Sequence, residues 1–279
     1  MDLNALPIPD VKRSIFQRAL QALESTGVAF SLGGGLALYY YTGVQRDVHD
    51  LDLHLLPRDV EPSLVALREA GFTTWVHLAP WLAQATVDRV QVDLVYGQGS
   101  GHASVDQRWF TGPRAHFLGH EVIVTAPEEF FWSKSMRYGR FRNDAPDLFS
   151  ILVALGNRLD WPHLLDLFDE DWEVLLSHLV VFRYAFPSHP GAIPDAILDN
   201  LLERLQASRR SPCPPNPPVW RGGLIDGAMD GQYFEERGYI DERRRRWERR
   251  LSAELDVLAP LVAQDVHRRD TSGGRRAAD

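Results

Sequence analysis

The stretch SLGGGLALYYYTGVQRDVHDLDLHLL, residues 31–56, carries the most informative pattern in this chain of 279 residues. It holds a glycine triplet, Gly33–Gly35, between a short β-type run and a segment of helical character. The alternating run DLDLHLL follows at 50–56. Because side chains alternate across a strand, this run predicts Asp50, Asp52 and His54 on one face and leucines on the other.

A second alternating run, RVQVDLVYG at 89–97, predicts another strand. Its apolar side chains share one face, which leaves Gln91 and Asp93 on the opposite face. Asp93 can therefore complete a cluster with Asp50 and Asp52. Carboxylates held this close repel one another unless a cation lies between them, and oxygen ligands suit Mg²⁺ or Mn²⁺. We predict a divalent metal site formed by these three aspartates.

The glycine triplet has a physical use beside such a site. Gly33, Gly34 and Gly35 lack side chains, so their backbone N–H groups can approach a phosphate, and the N-terminus of the following helix favours negative charge. A phosphate-binding turn next to carboxylate-bound metal ions is an arrangement suited to chemistry on a triphosphate.

The distribution of patterns along the chain predicts an α/β (α+β) fold. Strands and amphipathic helices alternate before residue 125, which favours a small mixed twisted sheet flanked by helices over 1–125. Leucine-rich helical stripes follow, and they predict an all-α subdomain over 126–207. Residues 208–279 are predicted to form a proline-rich linker, an arginine-rich helix and a disordered tail.

Composition limits the setting of the protein. Cys213 is the single cysteine, which excludes a disulfide framework within one chain and a cysteine-rich zinc site. The sequence has no uninterrupted apolar run of the roughly 18 residues that a spanning helix needs, and its first residues do not follow the pattern of a signal peptide. We therefore expect a cytoplasmic protein without a membrane segment.

The quoted residues resemble the signature of the DNA polymerase β-type nucleotidyltransferase superfamily. In that superfamily a strand leads to Gly-Gly or Gly-Ser, then to a helix, an Asp-x-Asp strand and a third Asp on a later strand. The Gly-Gly form is similar to minimal nucleotidyltransferases and to AbiEii-type toxins. The resemblance implies an NTP donor, Mg²⁺ or Mn²⁺ bound by Asp50, Asp52 and Asp93, and a hydroxyl acceptor.

The segment APEEFFWSKSMRYGRFRNDAPDLFSILVAL, residues 126–155, also resembles the toxin-like group. There, a helix that begins Pro-Glu-Glu carries a lysine, and a helix with an aspartate follows. The resemblance implies that Lys134 contacts the triphosphate and that Asp147, or Asp144, orients Lys134 or the nucleotide. It also raises the possibility of an antitoxin partner.

Several interpretations stay open at the level of sequence. The acceptor could be RNA, which the arginine-rich segment would contact, or a protein hydroxyl. It could also be a small molecule such as an aminoglycoside or a lincosamide, since the net charge of -8 would suit a cationic antibiotic. From a different class, the chain could be a non-catalytic nucleotide- or partner-binding protein that retains the fold.

Overall fold

A seven-stranded mixed sheet contains both alternating runs. The computed structural model describes residues 1–78, 81–98, 101, 103–137, 143–210, 212–221 and 235–271. The strands of the sheet are β1 Phe30–Leu32, β2 Asp50–Leu55, β3 Thr73–Leu78, β4 Leu82–Val87, β5 Val90–Val95, β6 Arg114–Phe117 and β7 His120–Val124. Their order is β3-β4-β5-β2-β1-β7-β6. The pairs β2/β5 and β1/β7 are parallel and the other pairs are antiparallel.

Helices precede, separate and follow the strands along the chain. Their bounds are α1 Asp10–Thr26, α2 Gly34–Thr42, α3 Val60–Glu69, α4 Pro127–Ser135, α5 Ala145–Leu155, α6 Trp161–Phe168, α7 Trp172–Ala185, α8 Asp195–Arg210, α9 Glu242–Ala253 and α10 Leu255–Thr271. A two-residue pair of parallel strands also occurs, β8 Val219–Trp220 with β9 Ile240–Asp241. The mixed sheet with flanking helices confirms the predicted fold class.

Internal contacts divide the chain into two compact units. The sheet unit comprises 2–36, 46–125 and 246–279, and the helical unit comprises 1, 37–45 and 126–245. As independently folding domains, the ranges 1–125, 126–207 and 208–279 stay a prediction.

In the sheet unit, amphipathic helices cover the apolar side of the strands. Helix α1 packs on α3 and also contacts β5 and β7. Its buried residues are Ile15, Phe16, Ala19, Leu20 and Leu23, which recur at helical spacing. In β5, Val90, Val92 and Leu94 are buried, whereas Gln91 and Asp93 on the other face are half-buried. The period-two pattern thus leaves one polar face of the central strands partly open.

The end of the chain belongs to the sheet unit from Arg246 onward. The predicted arginine-rich helix is interrupted at Glu254, between α9 and α10. Arg250 is buried: its Nη2 donates to the carbonyl oxygen of Tyr96 (3.2 Å), and its Nε donates to the hydroxyl of Ser104. That hydroxyl donates in turn to Glu254 Oε2 (2.7 Å). Desolvation by burial lowers the pKa of the Arg250 guanidinium, which Glu254 opposes.

This packing leaves fewer arginine side chains for the RNA contact that the arginine-rich segment predicts. Arg246 and Arg250 are buried, and the guanidinium of Arg250 occupies the space that a side chain at Gly97 would fill. These two arginines therefore serve the packing of the sheet unit. Helix α10 continues to Thr271, and 272–279, where the disordered tail is predicted, lie outside the described residues.

In the helical unit, α4 is the central element, since it packs against α5, α6 and α7. Helix α6 begins at an N-cap, where the Asp160 carboxylate accepts from the backbone N–H of His163 (3.1 Å). His178 on α7 is buried, and its Nε2 donates to the carbonyl oxygen of Ser135 (3.1 Å). Burial lowers the pKa of His178, which the bond to Ser135 opposes.

Within the described residues, no helix has both the length and the apolar character needed to cross a bilayer.

Candidate metal centre

Three carboxylates converge on the open face of the sheet. Asp50, Asp52 and Asp93 are half-buried, and each offers an oxygen that lies within 4.8 Å of the others. The parallel pairing of β2 with β5 produces this arrangement, because its register sets Asp52 directly beside Asp93. The predicted cluster is thus present in the structure. An all-oxygen set of three carboxylates fits a hard divalent cation such as Mg²⁺ or Mn²⁺.

Asp93 is held by two amides. Gln84 on β4 and Gln91 on β5 each donate from Nε2 to the same oxygen, Asp93 Oδ1, at 2.9 and 2.6 Å. Burial raises the pKa of Asp93, and the negative charge of Asp50 raises it further, whereas the two amides and His77 lower it. A cation bound between the carboxylates would remove the repulsion that Asp50 contributes.

The glycine turn passes directly beside Asp52. The backbone N–H of Gly33 donates to the carbonyl oxygen of Asp52 (2.9 Å), which extends the β1/β2 ladder by one residue. Gly34 has φ +50°, and a Cβ atom built on it would overlap the Asp52 carboxylate. Only glycine fits this combination of left-handed backbone and close approach. Gly35 faces open space, with no neighbour within 4 Å of an added Cβ.

His54 belongs to a buried polar chain next to this turn. Its Nδ1 lies 2.7 Å from Thr125 Oγ1, and that hydroxyl lies 2.9 Å from Ser31 Oγ. The His54 ring also packs against Trp109, with ring centroids 4.7 Å apart. A side chain at Gly33 would overlap the imidazole of His54. Although alternation puts His54 on the face of the aspartates, its ring fills the interior beneath the turn.

The segment that precedes Asp50 is tethered by a lysine from α1. Lys12 Nζ donates to the carbonyl oxygen of Val48 (2.7 Å) and lies 3.4 Å from that of His49. This contact fixes the backbone as it enters β2 and so limits the freedom of the first aspartate. His49 itself is exposed.

Lys134 lies in the helical unit among two acids. Its Nζ is 3.4 Å from Asp144 Oδ2 and 3.3 Å from Asp147 Oδ2, and it lies 5.8 Å from the centroid of the Phe130 ring. The Asp147 side chain is 5% exposed and that of Lys134 is 15% exposed. The structure therefore brings Lys134 together with both of the aspartates that the sequence offered as alternatives. The contact of Lys134 with a triphosphate stays a prediction.

Sequence reasoning missed several side chains around the cluster. Gln84 and Lys12 come from β4 and α1, and Thr125 lies just after β7. Alternation predicts Gln91 on the face of Asp93 but does not indicate that its amide contacts the carboxylate. Gln84 does have a sequence signal, since it is an amide between two alanines in the run LAQATV. Which carboxylate the Gln84 amide contacts depends on the order of the strands in the sheet, and the run itself does not specify that order.

Comparisons with known proteins find similar solved structures but no matching protein family. No protein-family model matches the chain, and no curated protein matches it in sequence. Among solved structures, an antigenic nucleotidyltransferase-like protein from Paracoccidioides brasiliensis is 16% identical, with a TM-score of 0.45 over 69% of this chain and 99% of the other. The antibiotic-resistance factor ANT(2'')-Ia is 16% identical, with a TM-score of 0.40 over 72% and 96% of the two chains.

The lincosamide antibiotic adenylyltransferase LnuA, in a lincomycin-bound structure, is also 16% identical, with a TM-score of 0.39 over 52% of this chain and 96% of the other. At these identities and scores, the likenesses do not assign the chain to a family. The resemblance to AbiEii-type toxins stays a prediction.

Proposed function

We propose that this chain is a metal-dependent nucleotidyltransferase, which moves a nucleoside monophosphate from an NTP to a hydroxyl acceptor and releases pyrophosphate. The observation that carries the proposal is the convergence of Asp50, Asp52 and Asp93 beside a glycine turn. Gly34 has no space for a side chain there, because the Asp52 carboxylate lies against it. A glycine turn and a cluster of three carboxylates are thus adjacent in one unit.

Each group has a role in this reaction. Asp50, Asp52 and Asp93 would hold the divalent cations, which neutralise triphosphate charge and favour in-line attack when bound. The turn Gly33–Gly35 would bind the β- and γ-phosphate oxygens through the backbone N–H groups of Gly34 and Gly35, because the N–H of Gly33 donates to the carbonyl oxygen of Asp52. From the resemblance alone, Lys134 is proposed to contact the triphosphate. Asp147, or Asp144, would orient Lys134 or the nucleotide.

The bond changes follow from this assignment. The acceptor oxygen forms a bond to the α-phosphorus, and the bond from that phosphorus to the bridging oxygen of the β-phosphate breaks. Pyrophosphate leaves with the electron pair of that bond. The proton of the acceptor hydroxyl passes toward the Asp93 carboxylate, which lies in the cluster of the three aspartates.

Calorimetric titration of each NTP with Mg²⁺ tests the proposal. We expect one or more NTPs to bind only with the metal, and this binding to disappear in the Asp50→Asn/Asp52→Asn double variant. Asp47→Asn is the matched control, because Asp47 is exposed in the same segment. Failure of every NTP to bind with Mg²⁺, or unchanged binding in the double variant, would contradict the proposal and favour a non-catalytic binding protein.

The acceptor is proposed only as a class: a hydroxyl of RNA, of a protein or of a small molecule. ANT(2'')-Ia is an antibiotic-resistance factor, and LnuA is a lincosamide antibiotic adenylyltransferase. Aminoglycosides and lincosamides therefore belong in an acceptor screen beside RNA and protein. The screen uses the donor found by calorimetry, labelled at its α-phosphate, so that transfer appears as label on the acceptor.

A further inference from the structure

Two glutamine amides converge on one oxygen of a metal-ligating carboxylate. Gln84 Nε2 and Gln91 Nε2 lie 2.9 and 2.6 Å from Asp93 Oδ1. Gln84 is 7% exposed, and the strand register places it directly opposite Asp93. Gln91 precedes Asp93 by two residues on the same face of β5. The two donors therefore reach the carboxylate from two adjacent strands.

This arrangement makes the two oxygens of Asp93 different. A carboxylate oxygen has two lone-pair sites, and two amide donors occupy those of Oδ1. No donor from the described part of the chain reaches Oδ2. The oxygen left for a cation is therefore Oδ2, and the carboxylate cannot turn freely because both amides would have to move with it.

The chemistry of the donors also suits a metal ligand. A lysine or arginine at either position would place a positive charge beside the site and compete with the cation. A neutral amide stabilises the carboxylate without adding charge, and its N–H groups can only donate toward an acceptor such as Oδ1. Gln84 and Gln91 thus hold Asp93 in a fixed orientation and add no charge to the site.

We propose that Gln84 and Gln91 are positioning residues that fix Asp93 so that its Oδ2 faces the divalent cation of the proposed nucleotidyltransferase. The inference rests on the proposed function, since it requires that Asp93 bind a metal. Neither glutamine touches substrate in this proposal. Each acts through the carboxylate of Asp93.

The test measures Mn²⁺ binding to the full chain, with free Mn²⁺ quantified by electron paramagnetic resonance. The variants are Gln84→Met and Gln91→Met, because methionine keeps the length of the side chain and removes its donor. We expect Mn²⁺ to bind each variant roughly 10-fold to 100-fold more weakly, as is usual when a partner of a metal ligand is removed. Gln17→Met on the exposed face of α1 is the matched control and should bind as the wild type does.

Urea unfolding separates a loss of positioning from a loss of fold. Gln91 is half-buried, so Gln91→Met should keep the wild-type unfolding midpoint even if Gln84→Met does not. With the donor NTP, the variants should lose kcat while the KM for NTP changes little, because the carboxylate moves and the phosphate-binding turn does not.

The outcomes distinguish this inference from the proposal on which it rests. If the wild type binds no Mn²⁺, with or without NTP, both are wrong. If the wild type binds Mn²⁺ and folded Gln91→Met binds it equally well, the positioning role is wrong and the proposed function stands.

Discussion

Replacing Gly34 by alanine should damage the metal centre directly. The added Cβ would overlap the carboxylate of Asp52, and the backbone at position 34 has φ +50°. A left-handed conformation costs a residue with a side chain about 1–2 kcal/mol. The overlap must also be relieved, and the Asp52 carboxylate is the group in its path. We therefore expect Gly34→Ala to lower the free energy of unfolding, measured in urea, by about 1–2 kcal/mol. Its affinity for Mn²⁺ should also be lower than that of the wild type.

The neighbouring glycine provides a matched control. An added Cβ at Gly35 meets nothing within 4 Å, and the residue lies in the first turn of α2. Since alanine is favoured over glycine in a helix by up to about 1 kcal/mol, Gly35→Ala should be as stable as the wild type or slightly more so. Its Mn²⁺ affinity in the absence of nucleotide should be unchanged, because no ligand carboxylate moves.

The assay is Mn²⁺ titration without nucleotide, paired with urea unfolding of both variants. Displacing a reacting or ligating group by about 1 Å can cost roughly 100-fold in rate, so Gly34→Ala should also lose about that factor in NTP turnover. Wild-type Mn²⁺ affinity in Gly34→Ala would refute the reasoning. An equal loss in Gly35→Ala would also refute it, because the effect would then not depend on contact with Asp52.

Three further predictions concern groups outside the turn. Arg250→Ala should lower the free energy of unfolding by about 1–3 kcal/mol in urea, because buried acceptors lose their donor. The exposed Arg249→Ala should change it by less than about 0.5 kcal/mol. The pKa of His178 is lowered in the folded chain, so the free energy of unfolding of the wild type should fall as the pH drops below 6.5, the ordinary pKa of histidine. In urea unfolding at pH 7.5 and 5.5, His178→Gln should show a smaller pH dependence. Lys134→Met should lower kcat by about 100-fold if Lys134 stabilises the departing pyrophosphate. Lys134→Arg keeps a positive charge beside Asp147 and should have the unfolding midpoint of the wild type in urea.

The sign of the His178 effect follows from proton binding. Because the folded pKa lies below the unfolded one, the unfolded chain binds more protons between the two values. Stability is therefore fully present above the unfolded pKa and is lost as pH falls through the folded one. A pH dependence that His178→Gln leaves unchanged would assign the effect to another group.

Some features of the site follow from local sequence alone. The alternation in β2 puts Asp50 and Asp52 on one face, because successive side chains of a strand point in opposite directions. The same rule puts Gln91 and Asp93 on one face of β5. The glycine triplet likewise marks a turn between a strand and a helix. These predictions needed no knowledge of which strands are neighbours.

Only the tertiary structure decided which of these faces meet. The parallel register of β2 with β5 sets Asp52 beside Asp93, and the antiparallel register of β4 brings in Gln84. Alternation also placed His54 with the aspartates, yet its bond to Thr125 turns the ring into the interior.

The arginine-rich end of the chain illustrates the same division. Its composition predicts an arginine-rich helix, and only the structure shows that Arg250 is buried through contacts with residues far away in sequence. The sequence by itself determined the faces and turns, because those depend on neighbouring residues. Strand order, register and the burial of individual polar groups depend on long-range packing, and only the folded chain decides them.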